Sequence, residues 1–138
     1  MKKAEMVTNI INKYNLNKET TALVGDTISD IDAACQSGIY SIGVSWGFEQ
    51  DKSSLIKNAD YIIYNSTIDG ELSTVDQLLS KSSLLEDFKA VKEGNVWCTE
   101  QNLFQEPMGL GTMIEDIHTM LTSDKDDTDN MTYMHKLK

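Results

Sequence analysis

The chain has 138 residues, 40% of them hydrophobic and 25% charged, with a formal net charge of −10. This fits a water-facing globular protein large enough for a hydrophobic core. It excludes nonspecific nucleic-acid binding, which needs clustered basic residues, and attraction to anionic membranes; without a run of about 18 apolar residues, no membrane-spanning helix is expected either.

The start, Met1-Lys2-Lys3-Ala4-Glu5-Met6-Val7, is basic. It lacks the apolar core of a signal peptide, because Asn9, Asn12, Lys13 and Asn15 interrupt it. The two cysteines, Cys35 and Cys98, have no metal-ligand spacing and read as reduced thiols, so a cytoplasmic location is expected. Residues 3–15 set Met6, Val7, Ile10, Ile11 and Tyr14 at the spacing of an amphipathic helix. Residues 15–18 read as a loop, 20–24 as a strand, 29–37 as a helix ended by Gly38, and 39–44 as a second strand. This alternation predicts an α/β layer on a parallel sheet. Trp46-Gly47-Phe48 opens a loop, 52–57 read as a short helix and 59–64 as a third strand.

Beyond the turn at 66–70, residues 74–79 read as a helix, with Thr74 and Gln77 in capping-box relation. Ser83-Leu84-Leu85-Glu86 gives a second capping-box signal. It opens a predicted helix with core face Leu84, Leu85, Phe88 and Val91, ended by Gly94. Residues 95–99 read as a strand and 110–121 as a helix with Met113, Ile114, Ile117 and Leu121 inward. Residues 124–130 are an acidic tail, and 131–138 carry no pattern.

The chemistry concentrates at Ala22-Leu23-Val24-Gly25-Asp26-Thr27-Ile28-Ser29-Asp30. Gly25 permits a tight turn. Asp26 follows at the strand's carboxyl end, where parallel α/β sheets place ligands. Asp30 is one helical turn on and can face the same side. Two converging carboxylates make a hard-oxygen site suited to magnesium; the alternative is a strand–helix join with Asp26 as a cap or turn residue.

Residues 23–34, then Gly38-Ile39, then Ile42-Gly43-Val44-Ser45-Trp46-Gly47-Phe48, resemble the fourth motif and following strand of haloacid dehalogenase-like (HAD) phosphatases, nearest the phosphoglycolate phosphatase-like group. The resemblance covers about residues 2–63. It implies a partial Rossmann-like three-layer α/β fold, magnesium (Mg2+) held by Asp26 and Asp30, and a phosphoryl-binding lysine at Lys3, with Lys2 its neighbouring alternative. Lys3 also reads as a solvated helix-start lysine. The family's aspartate nucleophile has no credible counterpart. Asp30-Ile31-Asp32 falls inside a predicted helix, and no strand precedes Asp124-Lys125-Asp126. The chain is therefore expected to be inactive alone on phosphate esters, and to act on a small phosphorylated substrate only if a missing half completes it.

Residues 66–72, then Leu84-Leu85-Glu86-Asp87-Phe88-Lys89-Ala90-Val91-Lys92-Glu93-Gly94-Asn95-Val96-Trp97, then 102–106, resemble the carboxyl-terminal end of the solute-binding proteins of iron–siderophore and cobalamin ABC importers. The implied organisation is a partial HAD core at 1–63, a small α/β remnant of a solute-binding lobe at 64–122 and a flexible tail at 123–138. The competing readings are an importer-linked binding module and a gene fragment with no selected function. Trp97 reads as core rather than ligand contact. Phe104 and Gln105 read either as cleft-facing or as packing and capping residues. His118 and His135 form no metal set, and Met108, Met113 and Met120 are core filler.

Overall fold

The computed structural model describes residues 2–45, 57–67, 70–104, 109–123 and 130–138. The loop opened by Trp46-Gly47-Phe48, most of the short helix at 52–57, Gln105, Met108 and the acidic run at 124–129 lie outside the described residues.

Five strands form one sheet in chain order: β1 (Ala22–Gly25), β2 (Tyr40–Ser45), β3 (Tyr61–Tyr64), β4 (Val96–Thr99) and β5 (Met134–Lys136). The first four are parallel and β5 is antiparallel to β4. The helices are α1 (Lys3–Tyr14), α2 (Ile28–Ser37), α3 (Val75–Lys81), α4 (Lys89–Lys92) and α5 (Leu110–Thr122). The fold is thus a mixed α/β sheet of the partial Rossmann-like kind.

Period-2 alternation divides the strands between two cores. Ile62, Tyr64, Val96 and Cys98 face one side, packed with Ile31 of α2, Leu78 of α3, Leu85, Phe88 and Ala90. Ile42, Ile63, Trp97 and Met134 face the other, packed with Met120, Met113, Ile117 and Leu121 of α5. Helices therefore cover both faces, and Trp97 is core. A third cluster, Ile11, Ala34 and Ile39 with Val7 and Leu23, docks α1 onto α2 and β1.

The α1 stripe is narrower than its periodicity suggests. Ile11 is buried and Val7 half-buried, but Met6, Ile10 and Tyr14 are exposed, because α1 is an outer helix that offers only the Val7–Ile11 edge to α2. Gly38 and Gly94 end their helices at φ 70° and 69°, a region glycine enters without a Cβ penalty. Thr74 caps α3 by accepting from Gln77 N–H at 3.2 Å, and the Gln77 side chain accepts from Thr74 N–H at 3.4 Å.

Three expectations need correction. The helix opened at Ser83 is split: a 3-10 turn covers Ser83–Asp87, Phe88 takes extended backbone (ψ 138°), and α4 starts after it. Leu84 is consequently exposed while Leu85 and Phe88 are buried. On α5, Ile114 faces solvent, and Met120 takes the core position instead. Residues 131–138, patternless in sequence and assigned to a flexible tail, supply β5, with Tyr133, Met134 and Leu137 buried. The buried Asp116 carboxylate of α5 fixes the entry to β5, accepting from Thr132 N–H at 3.1 Å and Tyr133 N–H at 2.6 Å. β3 and β4 pair directly, with Ile62, Ile63 and Tyr64 opposite Val96, Trp97 and Cys98.

Candidate functional site

The carboxyl end of β1 runs straight into α2, and this join brings together residues from three elements. Asp30 sits in the first turn of α2, and its Oδ2 accepts from Thr27 N–H at 3.2 Å and from Thr27 Oγ1–H at 2.5 Å. This is the acid's half of a capping box, satisfying a donor that the helix leaves orphaned. Asp30 Oδ1 accepts from Lys3 Nζ of α1 at 2.8 Å. The docking of α1 on α2 makes that long-range pair possible.

Gly25 supplies the space for this carboxylate. A Cβ at position 25 would lie 2.2 Å from Asp30 Cβ, 2.4 Å from Cγ and 2.7 Å from Oδ2. Gly25 therefore serves close approach by a side chain; its φ is not in the left-handed region. Desolvation pushes the Asp30 carboxyl up, but hydrogen bonds from Lys3 and Thr27 and the Lys3 charge outweigh it. The net result holds Asp30 below the ordinary aspartate value of 3.8.

Asp26 stands one residue past β1, exposed, with no hydrogen bond or ion pair among the described residues. Of the three residues singled out from sequence, Lys3 and Asp30 meet in an ion pair and Asp26 remains unpartnered beside them in the chain. Thr27 was not singled out. Its signal was present, because a threonine three residues before an acid at a helix start is the capping-box pattern.

Among the described residues no group of three or more His, Cys, Asp or Glu side chains is placed to hold a metal ion. The donor set still suits magnesium in part, since that ion takes one or two protein carboxylates and fills its shell with water and phosphate oxygens. Asp26 offers a whole carboxylate. Asp30 offers only what Lys3 and Thr27 leave, because a carboxylate has about four acceptor positions and three are in use.

The opposite, amino-terminal end of the sheet carries a different arrangement. Asp60 accepts from Ser41 N–H at 2.9 Å, Ser41 Oγ–H at 2.8 Å and Lys89 Nζ at 2.5 Å, tying β2, β3 and α4 together. An open pocket of about 290 Å3, lined in part by Lys18, Tyr40 and Asp60, lies there. It lies at the end of the strands away from Asp26 and Asp30.

Residues 2–67 match a family model described as HAD-hydrolase-like. Comparison with curated proteins and with solved structures gives no match for the chain.

Proposed function

Starting from the HAD-hydrolase-like match over residues 2–67, we propose that residues 1–63 are part of the core of a magnesium-dependent phosphomonoester hydrolase, phosphoglycolate phosphatase-like in sequence. They would supply the cation-binding acids and the phosphate-binding lysine, but no nucleophile. The observation that carries this reading is the meeting of Lys3 and Asp30 at 2.8 Å beside the carboxyl end of β1.

Each residue has a stated task. Asp26 and Asp30 would hold the magnesium ion, which when bound neutralises charge on phosphoryl oxygens. Lys3 carries the ammonium that binds a phosphoryl oxygen, and Asp30 keeps that ammonium at the strand end until a phosphate competes for it. Thr27 and Gly25 position Asp30. Among the described residues no strand leads into a DxD sequence, so on this reading the covalent capture step lacks its aspartate. The chain alone should leave a phosphomonoester intact.

Calorimetric titration with magnesium tests the half-site. Binding should be present in the native chain and lost in Asp26→Asn; equal heats in both would overturn the assignment. Hydrolysis of a generic phosphomonoester by the purified chain, abolished in Asp26→Asn, would overturn the claim of inactivity. Thermal stabilisation by a siderophore or a corrin, with no response to magnesium, would favour the binding-module reading of residues 64–122 instead.

A further inference from the structure

We propose that His135 is a proton-operated latch that fastens β5 to the rest of the sheet. β5 is an edge strand of three residues, and His135 lies opposite Cys98 in the antiparallel pair. The ring spans two other parts of the chain. Nδ1 is 2.5 Å from Glu100 Oε1, just past β4, and Nε2 is 2.5 Å from the Leu72 carbonyl oxygen, in the connection from β3 to α3.

Both partners accept hydrogen bonds. An ionised carboxylate and a backbone carbonyl have no proton to give, and a neutral imidazole donates from one nitrogen only. With both ring protons present, the two contacts are both made. With one proton gone, a ring nitrogen and an oxygen face each other as two acceptors, and one tie on β5 is lost.

The surroundings act in the same sense. Cys98 is buried on β4, its Sγ accepting from Leu72 N–H at 3.4 Å. Glu71, in the connection before α3, accepts from Gln101 N–H at 2.9 Å. Burial raises the Cys98 thiol, and the Glu71 and Glu100 charges push it further up, which places both carboxylates within electrostatic reach of this spot. On its own strand the neighbouring charge is Lys136, which alternation puts on the other face. The His135 and Glu100 side chains are 30% and 32% exposed, so protons from solvent reach the pair.

The latch acts locally. Asp116 still holds Thr132 and Tyr133, and Leu137 N–H still donates to the Val96 carbonyl at 2.9 Å, when the ring loses its proton. The expected result is more frequent opening of the last strand, with the α1–α2 end of the molecule undisturbed.

Hydrogen exchange on the full chain tests this, with intrinsic exchange rates divided out. As pH rises from a value where the ring carries both protons to one where it carries a single proton, protection of the amides of residues 134–137 should fall about fivefold, the factor that one hydrogen bond represents. The α1 amides should not follow. His135→Gln should remove the pH dependence. So should Glu100→Gln, because its amide can donate to a neutral Nδ1; this second variant keeps the histidine and serves if the first does not fold. Protection independent of pH in the native chain, the same fall in either variant, or a parallel fall in α1 would overturn the proposal.

Discussion

Replacing Gly25 with alanine should destabilise the protein by about 2 kcal/mol, within the range of about 1–3 for overpacking. The size follows from where the new methyl lands. It would sit 2.2 Å from Asp30 Cβ and 2.4 Å from Cγ, whereas carbon atoms rest about 3.5–4.0 Å apart. More than an ångström must therefore open. Asp30 cannot swing aside without giving up Thr27 N–H, Thr27 Oγ1 and Lys3, and loss of a helix cap alone costs about 1 kcal/mol. The sign is itself diagnostic, since alanine for glycine within regular structure ordinarily gains about 0.5–1 kcal/mol. Urea unfolding measures the change as a shift in midpoint at constant slope. The same substitution in an Asp30→Gly background, where the obstructing Cβ is gone, should cost under about 0.5 kcal/mol. Equal costs in the two backgrounds, or a native-background cost below about 0.5 kcal/mol, would refute the packing argument.

Acid titration of stability should show a limb contributed by Asp30 and Asp60. Desolvation raises both carboxyls, but the Lys3 and Thr27 bonds at Asp30, and the Lys89 and Ser41 bonds at Asp60, leave each below 3.8. Their contribution is complete above that value and is lost as pH falls through the lower folded-state values; Asp30→Asn and Asp60→Asn should each flatten the limb in urea melts run at stepped pH. Its partner Lys89 is raised above 10.5, mainly by the Asp60 hydrogen bond, so the contribution of that pair fades again as pH climbs past 10.5 toward the folded-state value, readable as a second decline in the same melts. Asp116→Ala should cost about 2 kcal/mol, because two backbone donors lose their acceptor; calorimetric melting should show it, and a change within about 0.5 kcal/mol would mean that β5 is held without this clamp. Thr74→Ala should cost about 1 kcal/mol by removing the cap of α3, measured the same way.

Elements whose signals are local were legible in the sequence. The helix at Lys3–Tyr14, the strand–helix–strand run from Ala22 to Ser45, the strand at Tyr61–Tyr64, the Thr74–Gln77 box and the glycine stops all lie within one or two residues of their expected places. Elements decided by distant contacts were not. β5 is three residues long and exists because β4, Asp116 and the Leu72 carbonyl receive it, and no periodicity encodes that. Leu84, Ile10 and Ile114 have the right spacing for a core face, but tertiary packing leaves each outward. At the site, the strand-end position of Asp26 and the turn to Asp30 were readable. The engagement of Asp30 by Lys3 was not, because it depends on how α1 docks on α2.

Asp30 ties down the first turn of α2, and under the proposed function it would also hold a cation beside a phosphate. A descendant that had abandoned chemistry altogether would still be penalised for losing it, since the helix would fray. Retention of an acid there is thus poor testimony to activity. Asp26 answers to no such structural duty among the described residues, so under the proposed function drift at that position would be the earlier sign of a lost cation site.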